Sequence, residues 1–215
     1  MDEYLSELER LEMAKKWWRE NYKSIFMGAF IAVVVVGGWR YWQYRTESRS
    51  EAASALFTEL ATDMSKHDDA AAFKTGKQII TEYADTPYAA HAALALAQVQ
   101  ATAGKLDEGG KMLEWVMQHS DDDGLKLLAR LRLARLKLAD NDAQGALDTL
   151  NGAEDASGFA PLYDALRGDA YAKLGKSDDA RAAYQKALAA WSDPLGDRSL
   201  IQMKLDNLPP KASKP

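Results

Sequence analysis

Residues 166–188 read LRGDAYAKLGKSDDARAAYQKAL, and their spacing decides the fold. Small residues stand at Gly168 and Ala180, aromatic ones at Tyr171 and Tyr184, and Ala187 closes the series. Apolar positions recur at intervals of three and four, the period of a helix buried on one face. Gly175 interrupts that period, because glycine lets a chain leave a helix through a positive φ. Asp178 and Asp179 then open a second helix, where carboxylates suit the positive end of the dipole. Gly168 and Ala180 let the two helices approach closely, and Tyr171 and Tyr184 fill the gap between them. Packing is therefore the role of these six positions.

The landmarks match the 34-residue helix–turn–helix of tetratricopeptide repeats. Shifting back 34 residues gives Ala134, Lys137, Asn141, Ala146, Leu150 and Ala153, with Lys137 breaking the aromatic position. A further 37 residues back stand Ala97, Gln100, Gly104, Gly109, Leu113 and Val116, with Gln100 the departure. The three extra residues are assigned to the acidic loop around Asp121–Asp122–Asp123–Gly124. An opening pair, about Glu51–Ala84, fits loosely and is followed by a break at Asp85–Thr86–Pro87. A last helix near Pro194–Leu208 covers the exposed end, as capping elements do in solenoids. The expected fold is all-α: about four helical pairs and a capping helix, stacked into a right-handed superhelix with a protein-binding groove.

Upstream the composition changes. Ser24 to Trp39, SIFMGAFIAVVVVGGW, carries no charge and is bracketed by Lys23 and Arg40. Sixteen residues fall short of the roughly 20 that a spanning helix needs. The flanks supply the rest: Trp17, Trp18 and Tyr22 before, Trp39, Tyr41, Trp42 and Tyr44 after. Tryptophan and tyrosine gather at membrane–water interfaces, and Lys23 and Arg40 can snorkel outward. A core strand of VVVV type is the weaker alternative, since strands rarely exceed about ten residues. A cleavable signal fits poorly, because bulky aromatics and arginine follow the apolar run where small residues are needed. The segment from Tyr22 to Trp42 reads as an uncleaved anchor in the lipid bilayer. Gly37 and Gly38 either permit close helix packing or are merely tolerated there.

Arg10, Lys15, Lys16, Arg19 and Lys23 precede the span, against Arg40, Arg45 and Arg49 after it. That excess places the N-terminus in the cytoplasm and the C-terminal part across the membrane. Tyr4, Leu5, Leu8, Leu11 and Met13 form an amphipathic pattern, which extends the span, lies on the surface or docks a partner. The division is 1–21 cytoplasmic segment, 22–42 transmembrane helix, 43–50 stalk or helical continuation, 51–208 repeat domain and 209–215 disordered tail.

Chemistry is sparse. The net charge of −5 argues against nucleic acid. With no cysteine there is no disulfide, thiolate metal site or cysteine nucleophile. Gly175–Lys176–Ser177 imitates the end of a phosphate loop, but Ala170 stands where its first glycine belongs and no strand precedes it. The aspartates at 121–123 lack the alternating ligands and terminal glutamate of a calcium loop. His67, His91 and His119 are too scattered for a metal site. No enzyme, cofactor or metal is expected.

Taken in order, GGWRYW at 37–42, LRLAR at 131–135, LRGDA at 166–170 and QMKLDNL at 202–208 resemble the ancillary Sec-translocon subunits of Gram-negative bacteria (the YfgM family). The resemblance covers nearly the whole chain. It implies an inner-membrane protein with one span, a cytoplasmic N-terminus and a periplasmic tetratricopeptide-like domain. It implies partners too: the Sec translocon, a membrane-anchored periplasmic chaperone of the peptidyl-prolyl isomerase type, and translocating client proteins. The cytoplasmic stub is implied to affect a stress-response regulator. The resulting expectation is a non-catalytic adaptor that passes translocated proteins to periplasmic folding factors. The alternatives are an envelope assembly scaffold and a regulator acting through the stub.

Overall fold

The computed structural model describes residues 7–153, 157–191 and 198–210, and every regular element among them is helical. Helix α1 is Glu7–Ser65, α2 Asp69–Glu82, α3 Pro87–Thr102, α4 Leu106–His119 and α5 Asp123–Ala139. They are followed by α6 Ala143–Asn151, a short 3-10 turn at Ser157–Phe159, α7 Ala160–Lys173, α8 Ser177–Ala190 and α9 Arg198–Asp206. Tyr4 and Leu5 of the amphipathic stub, the start of the capping segment at 194–197 and the tail at 211–215 lie outside the described residues. The chain forms two compact units, Met1–Arg49 and Ser50–Pro215. Residues 43–50 are helical, as part of α1.

In the second unit the last turns of α1 join α2 in the first helix pair. Pairs α3–α4, α5–α6 and α7–α8 follow, and α9 packs on α8. One turn geometry closes every pair. His67, Gly104, Asn141 and Gly175 adopt φ of 57°, 75°, 66° and 74°. At each, the residue's own N–H bonds the carbonyl three before it, and the next N–H reaches back five. Thus Gly175 N donates to Ala172 O at 3.0 Å and Lys176 N to Tyr171 O at 2.9 Å. His67 and Asp68 repeat this onto Met64 and Asp63, Gly104 and Lys105 onto Ala101 and Gln100, and Asn141 and Asp142 onto Leu138 and Lys137. The orphan carbonyls at each helix end are satisfied locally by these bonds.

The turns fall at 67, 104, 141 and 175, at intervals of 37, 37 and 34 residues. They give the opening pair its register: Leu60, Ala72 and Ile79 are fully buried, with Gly76 buried beside them. Against the last pair, large and small have changed places. Leu60 stands where Gly168 does, and Gly76 where Tyr184 does.

The aspartates near 122 differ from their reading as a loop. Only Ser120–Asp122 separate α4 from α5, because Asp123 already lies in the helix. Asp122 caps it, its Oδ1 accepting from Leu125 N at 3.0 Å. The longer spacing is taken up in helix, α5 having 17 residues where α7 has 14. Asp68 and Asp142 cap α2 and α6 in the same way, each such cap contributing about 1 kcal/mol.

Buried residues run through the stack. Leu60, Ile79 and Leu96 join α1, α2 and α3; Leu113, Val116 and Leu133 join α4 to α5; Leu131, Leu150 and Tyr163 join α5, α6 and α7. Tyr184, Leu188 and Ile201 continue the core into α9. No single pair has enough partner surface to bury its own apolar face, so the core exists only in the stack.

Candidate functional site

Trp17, Trp18, Tyr22, Lys23, Trp39, Arg40, Tyr41 and Trp42 all lie on α1. Between Ile25 and Val36 the large apolar side chains are exposed on every side of the helix, and the apolar stretch is entirely unburied. Hydrocarbon is the solvent that suits such a surface, since an all-round apolar helix in water would bear the full hydration cost. From Tyr22 to Trp42 the helix rises about 30 Å, the thickness of a bilayer's apolar layer. Among the described residues α1 alone is long and apolar enough to cross a membrane. Aromatic side chains meet at both ends: Trp18 edge-on to Phe26 at 6.5 Å, and Trp39 against Trp42 at 5.6 Å.

Gly168, Tyr171, Gly175, Ala180, Tyr184 and Ala187 gather where α7 meets α8. Ala180 and Ala187 are fully buried and Tyr184 nearly so, while Tyr171 packs partly buried against the neighbouring clusters. A Cβ on Gly168 would lie 2.4 Å from Tyr184 Cε1, so only glycine admits the ring. The Tyr184 hydroxyl donates to Asp169 Oδ1 at 2.8 Å, and Lys204 Nζ of α9 reaches the same carboxylate at 2.7 Å. Burial, then the hydrogen bond to Asp169 and the charge on that carboxylate, raise the Tyr184 pKa well above its ordinary 10.0. Asp164, 3% exposed, is bridged by Arg167 at 2.8 Å and Lys186 at 3.1 Å. These polar groups fasten pair four and the cap together.

The other candidates are structural. Gly175–Lys176–Ser177 is a helix–helix turn, with Ser177 beginning α8. His67 sits in its turn, His91 lies 6.2 Å from Phe57, and His119 stacks on Trp115 at 4.5 Å. No group of three metal-capable side chains occurs among the described residues.

A feature that sequence reasoning missed lies between α3, α4 and α5. Ala97, Gln98 and Ala101 of α3, Leu113 of α4, and Arg132, Arg135 and Leu136 of α5 line a cleft of about 230 Å³. Its signal in the sequence is LARLRLARLKLA at 128–139, where arginines stand on a helix whose leucines enter the core.

The geometry agrees with the relationships of the chain. A family profile for the tetratricopeptide repeat-like domain matches residues 15–210. A protein of Escherichia coli named ancillary SecYEG translocon subunit is 30% identical over 210 residues, 97% of this chain and 99% of that protein. Proteins of the same name from Aggregatibacter actinomycetemcomitans and Neisseria gonorrhoeae are 29% and 28% identical, each covering at least 95% of this chain.

Proposed function

The chain belongs to the ancillary SecYEG translocon subunit family and carries its tetratricopeptide repeat-like domain, and from that premise we propose a membrane-anchored, non-catalytic adaptor of the Sec translocon. One observation carries this reading. The likeness to proteins of that name runs through the apolar helix and the repeats alike, so anchor and repeat domain come as one device. In the proposed arrangement α1 spans the inner membrane between Tyr22 and Trp42, with residues 1–21 cytoplasmic and 51–208 periplasmic. Anchoring beside the translocon raises the effective concentration of the repeat domain for emerging chains. The domain then links those chains to a membrane-anchored periplasmic chaperone of the peptidyl-prolyl isomerase type.

The function is contact, so contact tests it. A photo-crosslinker placed on the exposed surface of residues 51–208 in native membranes is expected to capture translocon subunits and the chaperone. Capture of neither from any position overturns the adaptor. Protease added to spheroplasts is expected to digest the repeat domain, and protection of that domain reverses the topology.

A further inference from the structure

Two arginines in the cleft between α3, α4 and α5 lack the partners that Lys126 and Arg130 have on the same helix. On α5, Lys126 pairs with Asp123 at 3.0 Å, and Arg130 donates to the Thr149 carbonyl at 3.2 Å. Lys137 lies among Glu114, Asp140 and Asp142 in a separate cleft. Arg132 and Arg135 have no hydrogen-bond or ion-pair partner among the described residues, although Arg132 is partly buried. A partly desolvated guanidinium without an acceptor is unfavourable, and a carboxylate is its best-matched partner. The contrast with the domain is sharp: residues 51–208 hold 25 acidic and 17 basic side chains, yet among the described residues no carboxylate pairs with either arginine. Beside the pair lie Ala97, Ala101, Leu113 and Leu136, an apolar wall with Gln98 at its edge.

We propose that this cleft binds an acidic segment of another protein, one carboxylate on Arg132 and Arg135 and an adjoining apolar side chain on the wall. Charge complementarity sets the occupant. A polyanion such as nucleic acid would meet the repulsion of a net acidic domain, whereas a single carboxylate beside an apolar group meets only the cleft. The site goes beyond the translocon reading, and its test involves no translocon.

The full chain in nanodiscs is titrated against a fluorescent, C-terminally amidated glycine–serine peptide that carries a single Leu-Asp pair, with fluorescence anisotropy as the readout. The leucine–asparagine counterpart is expected to bind at least tenfold more weakly. Binding of the acidic peptide should weaken as salt rises from about 0.1 M to about 1 M, where screening shortens from about 10 Å to about 3 Å. Joint Arg132→Gln and Arg135→Gln substitution should lower affinity at least tenfold with an unchanged circular dichroism spectrum. Joint Lys66→Gln and Lys74→Gln substitution, which removes equal charge elsewhere, should leave it unchanged. Equal binding of the two peptides by the unaltered chain overturns the proposal, whatever the variants do. So does full binding by the double arginine variant, or a loss as large in the lysine control.

Discussion

Gly168 and Tyr184 show how closely single residues are fitted in this protein. The Tyr184 ring occupies the place a Cβ at 168 would need, and its hydroxyl is held by Asp169, which Lys204 holds in turn. The ring cannot swing aside without breaking that chain of bonds. Gly168→Ala should therefore destabilise the repeat domain by about 1–3 kcal/mol, the usual cost of overpacking, read as a lowered thermal midpoint. The same tyrosine sets an alkaline limit. Its pKa is raised in the folded chain, while the unfolded chain titrates near the ordinary 10.0. Above that pH the unfolded state releases a proton that the folded state keeps, so stability falls as pH rises past about 10. Tyr163, raised chiefly by burial, adds in the same direction. Thermal midpoints measured from about pH 9 to about pH 11 should fall for the unaltered chain and fall less steeply for Tyr184→Phe.

Among the elements, the recurring left-handed turn separates what could be read in advance from what could not. Pair four was legible because glycine stands at its turn and at its helix crossing. Pair one was legible only in outline, at about Glu51–Ala84, and not in register: histidine occupies the turn, and the crossing reverses its sizes, Leu60 for a small residue and Gly76 for a large one. A large residue still faces a small one where residue type is not kept, and a pattern of types cannot register that. The arginines of the cleft were hidden for a related reason. Basic residues punctuate α5 throughout, and only packing decides that Arg130 turns to a carbonyl while Arg132 and Arg135 do not. Histidine at φ 57° sits in a region that costs an L-residue about 1–2 kcal/mol. Glycine removes that strain and gives part of it back as unfolded-state entropy, roughly 0.5–1 kcal/mol. His67→Gly should thus stabilise the domain by up to about 1 kcal/mol, seen as a higher urea midpoint with an unchanged slope.

For the repeat domain, stability is the sum of repeats and neighbouring interfaces, and a capping element covers the face that the last repeat leaves open. Helix α9 supplies Ile201, 4% exposed, to the last core cluster and Lys204 to Asp169. Ending the chain after Ala190 uncovers Leu188 and leaves Asp169 without its cation. The isoleucine alone is worth about 1.5–3 kcal/mol, so the shortened protein should melt at a lower temperature, followed by circular dichroism. The turns impose another asymmetry, which concerns where the chain can grow. Each pair joins its helices through three residues tied by two backbone bonds. One residue added there rotates the second helix by about 100° and carries its buried face out of the core. The connection at 152–159 joins pairs, and none of its described residues has the positive φ that marks those turns. A Gly-Ser insertion after Gly152 should leave the melting curve nearly unchanged, and the same insertion after Gly175 should abolish cooperative melting of the last pair. New sequence can enter this protein between its repeats, and within a repeat every added residue is a change of phase.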